Sequence, residues 1–162
     1  MAPTPRLRRV SASDRPARLS VGKARPGDLP ALHELLSLCG LPFDGVADHL
    51  HAFLVARDVG RLVGTVGVER HGADGLLRSL AVHPDYRRRG LGARLTRRAL
   101  GEEARRLGLR RLFLLTETAS EYFLRFQFRP LPRGQAPPAL QASVEFASAC
   151  PETATCMERR LA

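Results

Sequence analysis

The residues with the clearest chemistry form one short run, Arg87-Arg88-Arg89-Gly90-Leu91-Gly92. Arginine side chains bind phosphate oxygens, and glycine lets the main chain approach a ligand closely. The run lies between an apolar stretch, residues 76–82, and apolar residues at helical spacing from Leu95 to Leu107. We therefore predict a strand, a turn and a helix, with the turn at the helix N-terminus. Free N–H groups and the helix dipole make such a turn a binding site for phosphate or pyrophosphate.

Two common phosphate-binding motifs do not fit this run. A Walker A loop requires Gly-Lys-Ser/Thr, and the only lysine of the chain is Lys23. A dinucleotide fingerprint requires glycine or alanine where Leu95 stands. The pattern that remains is Arg-x-x-Gly-x-Gly between a strand and a helix. A plain glycine turn before an arginine-rich helix is the alternative that the residues leave open.

The periodicity of the whole chain predicts the element order β-α-α-β-β-β-α-β-α-β-β. The predicted strands cover residues 19–25, 53–57, 62–69, 76–82, 112–115, 128–131 and 155–161. Predicted helices cover residues 29–39, 46–51 and 119–126, besides the central helix that Gly108 ends. Because strand-helix-strand units usually join neighbouring parallel strands, we expect the fourth and fifth strands to be parallel.

Length and composition fit one globular domain. Of the 162 residues, 44% are hydrophobic and 26% are charged, and residues 1–18 have the composition of a disordered basic tail. The folded domain is therefore expected to cover residues 19–162. No run approaches the ~20 apolar residues of a membrane-spanning helix, and the first residues lack a signal-peptide core, so a cytoplasmic protein is expected.

The net charge of +10 raises the alternative of nucleic-acid binding. The arginines are spread along the whole chain, however, and two tyrosines without tryptophan offer few stacking platforms. Three cysteines, Cys39, Cys150 and Cys156, lack CxxC spacing, which argues against a disulfide framework and a zinc site. His49 and His51 have no further ligand nearby, so no metal is predicted. Neither nucleic acid nor a membrane is an expected partner.

The Arg-x-x-Gly-x-Gly run in this context resembles the pyrophosphate loop of the GNAT superfamily of acetyl-CoA-dependent N-acetyltransferases. Arg78-Ser79 and the C-terminal half resemble the GNAT proteins associated with arsenic-resistance operons (the ArsN type) and related amino-acid N-acetyltransferases. The C-terminal residues concerned are those at positions 114–119, 122–123, 128, 138, 146, 150–151, 153–154 and 157. The resemblance implies an α/β (mixed α+β) GNAT fold with a mostly antiparallel sheet of six to seven strands. Strands 4 and 5 would form a splayed parallel pair, with about four helices around the sheet.

The resemblance also assigns acetyl-CoA as the acetyl donor. Main-chain N–H groups of Arg87, Arg88, Arg89, Gly90, Leu91 and Gly92 would hold the pyrophosphate. The strand residues Leu80, Ala81 and Val82 would pair with the pantetheine arm, and one of their N–H groups would polarise the thioester carbonyl. Thr118 and Phe123 are further cofactor-binding candidates.

Three residues are candidates for proton transfer. Glu69 and Glu117, each near a strand end, could accept the proton of the attacking amine, although either could equally be a surface carboxylate. In the family, a tyrosine that acts as the general acid lies four residues before a glycine. This chain has Phe123 at the tyrosine position and Gln127 at the glycine position. Tyr122 lies about 100° around the helix from Phe123. A non-catalytic acyl-CoA-binding module is therefore an open alternative.

The acceptor is expected to be a small amino acid or an amino-acid-like toxin, with a protein N-terminus or an antibiotic amine as alternatives. Arg78, with Ser79, could bind an acceptor carboxylate, although Arg78 could equally pair with a structural acid. Residues 39–48 and 133–138 are expected to shape the acceptor pocket. A homodimer is also expected, because many GNAT proteins are dimers.

Overall fold

A computed structural model describes residues 18–162, so the predicted tail lies outside the described residues except for Arg18. The strands are β1 Leu19–Lys23, β2 Phe53–Asp58, β3 Arg61–His71, β4 Asp74–Val82, β5 Arg111–Thr116, β6 Arg129–Pro130 and β7 Thr155–Arg160. The helices are α1 Leu29–Leu38, α2 Leu91–Arg98, α3 Ala104–Arg106, α4 Ser120–Leu124 and α5 Pro138–Gln141. One π-helical segment, Ala99–Glu103, joins α2 to α3, and a second covers Glu145–Ala149. No helix in the described part of the chain is long and apolar enough to cross a membrane.

The seven strands form one sheet in the order β1-β2-β3-β4-β5-β7-β6. Only β4 and β5 pair in parallel, and every other pair is antiparallel. The predicted sheet, with its parallel pair in strands 4 and 5, is therefore confirmed. The connection through α2 and α3 joins these two parallel strands.

The parallel pair separates soon after it begins. Asp74, Gly75 and Leu76 pair with β5, and the rest of β4 has no partner on that edge among the described residues. A β-bulge helps to bend β4 away, because Ser79 and Leu80 together lie opposite the single residue Val66 of β3. Ser79 has a φ of 55°, the left-handed conformation that such a bulge can require. The result is a V-shaped opening between the two strands.

The bulge also exchanges the two faces of β4. Before it, Leu77 points to the core formed with α2 and α4, whereas Arg78 points to the face covered by α1. After it, Leu80 and Val82 join the α2 side, and Ala81 packs with α1. An insertion of one residue is enough for this exchange, because strand side chains alternate with period two.

Hydrophobic cores fill both faces of the sheet. The α2 face holds the largest cluster, which includes Leu91, Leu95 and Phe123. The opposite face, here called the α1 face, holds one cluster around Leu32 and Phe53 of the N-terminal half. A further cluster on that face, of the C-terminal half, buries residues Leu76, Phe113, Leu140 and Phe146. The V-shaped opening connects the two faces.

Two of the predicted elements differ clearly from the observed ones. The predicted helix 46–51 is a series of turns followed by a 3-10 turn, Leu50–Ala52. The predicted strand 128–131 is shorter than expected, since β6 contains only two residues, Arg129–Pro130. No pattern in residues 138–149 was strong enough to predict α5 or the segment Glu145–Ala149.

Candidate active site

A cleft of about 1780 Å³ occupies the opening between β4 and β5. Residues 77–82 line one side of it, and residues 114–119 line the other. The N-terminus of α2 and the inner side of α4 border it on the α2 face. Residues 39–42 and 149–151 border it on the α1 face. The cleft thus passes through the sheet and is accessible from both faces.

The cleft contains most of the residues predicted from the sequence. Ten of the predicted cofactor-binding residues line it, namely Leu80, Ala81, Val82, Arg87, Arg88, Gly90, Leu91, Gly92, Thr118 and Phe123. Arg89 does not line it, because its guanidinium lies over the ring of Tyr86 at 5.6 Å. Arg78, Ser79, Glu117 and Tyr122 line the cleft, whereas Glu69 does not.

The turn before α2 leaves an uncapped helix N-terminus facing the cleft. Gly90 precedes the helix with a φ of 76°, and no side chain caps it. Arg94 makes a main-chain hydrogen bond to Gly90, so the N–H groups of residues 91–93 have no such helical partner. A Cβ at Gly92 would lie 3.5 Å from the Tyr122 hydroxyl and 3.7 Å from Val82. A ligand with anionic oxygens can therefore approach the main chain here.

The Arg87 side chain folds back across the end of β4. Its Nε donates to the carbonyl oxygen of Val82 at 3.0 Å, and its Nη2 lies 3.5 Å from the Sγ of Cys39. These contacts hold one positive charge at the point where the α2 face meets the α1 face. Arg88, with a φ of 62°, completes the turn between β4 and α2.

Two tyrosines, Tyr86 and Tyr122, line the cleft, and Tyr122 of α4 lies against α2. Its hydroxyl is 2.9 Å from Oγ1 of Thr96, which in turn donates to the carbonyl oxygen of Gly92. Burial raises the pKa of Tyr122 by more than the hydrogen bond with Thr96 lowers it, so the phenol is protonated at neutral pH. Phe123 is buried in the core beside it, with the two rings edge to face. The residue at the family's usual tyrosine position is therefore a phenylalanine packed in the core, and the Tyr122 phenol lies beside it.

The two candidate bases have different surroundings. Glu117 follows β5, is exposed and lines the cleft. Glu69 lies inside β3, paired with Leu76, and is 4% exposed. Burial favours its neutral form, but hydrogen bonds from His71 and Arg78 outweigh burial and lower the pKa of Glu69. The prediction that Glu69 serves as a base at the cleft is therefore corrected. Glu69 does not line the cleft, and its two carboxylate oxygens are hydrogen-bonded to His71 and Arg78.

Arg78 is the centre of a buried ion-pair cluster. Its Nη1 donates to Glu69 at 2.8 Å, and its Nη2 pairs with Glu145 at 2.9 Å. Nη2 also donates to the carbonyl oxygen of Asp44 at 2.7 Å, and Nε donates to Ser79 at 3.2 Å. The side chain is 1% exposed. The expected carboxylate clamp is therefore corrected: structural acids already hold the guanidinium, although other atoms of Arg78 border the cleft.

Glu145 is the member of this cluster that the sequence did not indicate. It lies in a stretch without a clear apolar period, where a lone glutamate is normally a surface residue. In the fold it is 5% exposed and also accepts a hydrogen bond from the thiol of Cys150 at 2.9 Å. Burial, and then the bond to Glu145, raises the pKa of that thiol to about 12.

The α1 side of the cleft differs in part from the prediction. Of the predicted segment 39–48, residues 39–42 line the cleft. The predicted loop 133–138 does not line it, and residues 149–151 with Ala154 take its place. The three cysteines are free. No group of three or more His, Cys, Asp or Glu side chains within residues 18–162 is arranged to hold a metal ion.

Comparisons with known proteins agree with this architecture. A family model described as an acetyltransferase (GNAT) domain matches residues 49–130, just over half of the chain. No curated protein sequence gave a significant match.

Solved structures of similar fold are numerous. N-acetylglutamate synthase from Neisseria gonorrhoeae, complexed with coenzyme A and N-acetyl-glutamate, is 24% identical with a TM-score of 0.77. The match covers 91% of this chain and 36% of the synthase, so the chain spans about a third of that protein. Rv2747 from Mycobacterium tuberculosis, in complex with CoA and NLQ, is 23% identical with a TM-score of 0.74, covering 88% of this chain and 99% of that one.

The ribosomal-protein-S18-alanine N-acetyltransferase from Escherichia coli is a more distant match. It is 18% identical with a TM-score of 0.68, and the match covers 89% of this chain and 94% of that one. At identities below 25%, these likenesses show a shared fold.

Proposed function

Since the chain belongs to the GNAT family of acetyltransferases, we propose that it transfers the acetyl group of acetyl-CoA to the amine of a small amino acid or amino-acid-like toxin. The observation that carries the proposal is the meeting of two features in one cleft. The uncapped N-terminus of α2 suits a pyrophosphate, and the unpaired edge of β4 suits an extended amide-bearing arm. The residues present therefore fit acetyl-CoA.

The proposed binding roles follow from this fit. N–H groups of residues 88–92 bind the pyrophosphate, and Arg87, whose own N–H donates to Pro84, adds positive charge together with Arg88. Residues 80–82 pair with the pantetheine arm through main-chain groups, as an added strand would. An N–H group near the bulge at Ser79 then hydrogen-bonds the thioester oxygen and stabilises the negative charge that develops on it.

The proposed catalytic roles belong to Glu117 and Tyr122. Acetyl-CoA supplies an activated acetyl group as a thioester. As the amine nitrogen bonds to the carbonyl carbon, Glu117 accepts the proton that the nitrogen loses, directly or through water. As the carbon–sulfur bond breaks, Tyr122 donates its phenol proton to the leaving thiolate and regains one from solvent. Thr96 holds the Tyr122 hydroxyl in place for this step.

The acceptor class rests on the resemblance and on two structural neighbours. The Neisseria gonorrhoeae structure is a complex with coenzyme A and N-acetyl-glutamate, and the Mycobacterium tuberculosis structure is a complex with CoA and NLQ. A protein N-terminus is the second candidate acceptor, favoured by the fold shared with the S18-alanine enzyme. The arsenic-resistance role, a cytoplasmic location and a homodimer stay predictions from the sequence.

Thiol release from acetyl-CoA tests the proposal. The panel contains the free amino acids, phosphinothricin, an arsenic-containing analogue and a peptide beginning with alanine. We expect amine-dependent release with one member, and a product of matching acetylated mass. Because the chain has three free cysteines, a reaction without acceptor sets the background.

Two glutamate variants locate the base. Glu117→Gln should lower kcat by about 100-fold at neutral pH while acetyl-CoA binding is kept. Glu121→Gln is the control, because Glu121 is also exposed and lines the cleft. Tight acetyl-CoA binding without turnover of any amine would favour the non-catalytic binding module instead.

A further inference from the structure

Residues 145–151, here called the acceptor wall, form a short structure beside the cleft. The wall consists of the π-helical segment Glu145–Ala149 followed by Cys150 and Pro151. Ala149, Cys150 and Pro151 line the cleft on the α1 face. Their side chains are small and uncharged, because the Cys150 thiol is protonated at neutral pH. The wall therefore offers the cleft an apolar surface without a charge.

The sheet holds the first residue of the wall. Arg78 of β4 pairs with Oε1 of Glu145, and the other oxygen of Glu145 accepts the Cys150 thiol. The main-chain N–H of Cys150 also donates to the carbonyl oxygen of Glu145 at 3.0 Å. The beginning of the wall is thereby attached to the central sheet.

An arginine outside the cleft holds the last turn of the wall. In π-helical order, the carbonyl of Phe146 would accept from residue 151, but Pro151 has no N–H to donate. Arg133 supplies the missing donor, with its Nη2 at 2.6 Å from Phe146 O and 3.4 Å from Cys150 O. Its Nη1 donates to Pro151 O at 2.6 Å, and the guanidinium lies over the Phe146 ring at 5.5 Å.

We propose that Arg133 is a positioning residue for the acetyl acceptor, acting through residues 149–151, which it holds against the cleft. It does not line the cleft itself, so its effect on the acceptor is indirect. The wall packs against an apolar part of the acceptor and leaves acetyl-CoA to the α2 face. The inference rests on the proposed acetyl transfer, and it gives the loop containing Arg133 an indirect role at the acceptor site.

Two substitutions of alanine by leucine test whether the acceptor wall contacts the acetyl acceptor. Ala149 borders the cleft, whereas Ala147 lies on the same segment, exposed and away from it. Ala149→Leu should raise the KM of the acceptor at least about tenfold and leave the KM of acetyl-CoA unchanged. Ala147→Leu should change neither. The probe is the panel amine that the wild type acetylates fastest, with L-glutamate and phosphinothricin tried first.

Arginine variants test the positioning role. Arg133→Ala should raise the acceptor KM. Arg133→Lys should raise it less, because lysine keeps a hydrogen-bond donor but lacks the planar guanidinium that donates to two carbonyl groups at once. Arg105→Ala, at an exposed helical position, is the control. A measurement without acceptor runs beside it. Cys150 should be alkylated several-fold faster in Arg133→Ala, because greater exposure of its thiol outweighs the loss of the nearby charge that lowers its pKa. Cys39, which lies against Arg87, is the internal reference.

The outcomes separate the two proposals. Weaker acetyl-CoA binding in Ala149→Leu, or equal alkylation of Cys150 with and without Arg133, would overturn the positioning role. A wild type that acetylates no member of the panel would defeat the proposed function, and this inference with it.

Discussion

Replacement of Arg78 by methionine should strongly destabilise the protein. The side chain is 1% exposed, and methionine keeps much of its length without the charge. The change leaves Glu69 and Glu145 buried without the cation that lies 2.8 and 2.9 Å from them. Removing one partner of a buried ion pair typically costs about 3–5 kcal/mol of unfolding free energy. At about 2–4 °C per kcal/mol for a chain of this size, Tm should fall by roughly 6–20 °C.

Urea unfolding followed by far-ultraviolet circular dichroism measures this cost, because the chain has no tryptophan to report by fluorescence. Arg105→Met is the control, since its exposed position predicts a change within about 0.5 kcal/mol. The double variant Arg78→Met with Glu145→Gln should be less unstable than the two single effects add up to, because one stranded carboxylate is gone.

A loss below about 1 kcal/mol, the size of an exposed pair, would refute the buried cluster. If such a variant also lost turnover with an acidic acceptor, Arg78 would be the carboxylate clamp that the sequence suggested.

Three further predictions concern pH, the turn and the phenol. Because the folded state lowers the pKa of Glu69 from 4.5, its ionised form contributes stability above that pH. The stability difference between wild type and Glu69→Gln should therefore shrink as pH falls below 4.5 toward the folded pKa, as urea midpoints would show. Gly90→Ala should lower the unfolding free energy by about 1 kcal/mol and weaken acetyl-CoA binding, because Gly90 has a φ of 76°. Gly101→Ala is the control: a Cβ there meets open space inside a helix, so thermal melts should show a neutral or stabilising effect. Tyr122→Phe should lower kcat at least about tenfold with the acetyl-CoA Kd unchanged, and an unchanged kcat would remove Tyr122 as the acid.

The order of elements along the chain and the glycine turn before α2 followed from local patterns. Residues 76–107 contain a strand, a glycine turn and a helix that follow one another directly in the sequence. Their local conformation therefore depends mainly on nearby residues. The family prediction is confirmed for the same reason, since its motif lies within the matched residues 49–130. The arsenic link involves no particular contact and stays a prediction.

The α1 side of the cleft could not be predicted in the same way. Arg78 and Glu145 are distant in the chain and become neighbours only when the C-terminal segment covers the α1 face. Strand alternation alone could not show which face residues after Ser79 would take, because the bulge exchanges them. Arg133 lies in a loop predicted to form the pocket. Its guanidinium instead donates to the carbonyl oxygen of Phe146, which Pro151 cannot satisfy because proline has no main-chain N–H. Such partners are visible only in three dimensions.

Calorimetric titration with acetyl-CoA is the most direct test of the central claim that the β4–β5 cleft binds this cosubstrate. Wild type should bind one molecule per chain with a Kd in the range of about 1 μM to 1 mM, typical of enzyme substrates. Gly92→Val should abolish binding while the fold is kept, because its side chain would fill the space between Val82 and the Tyr122 hydroxyl. No heat of binding with wild type, or equal binding by Gly92→Val, would contradict the account.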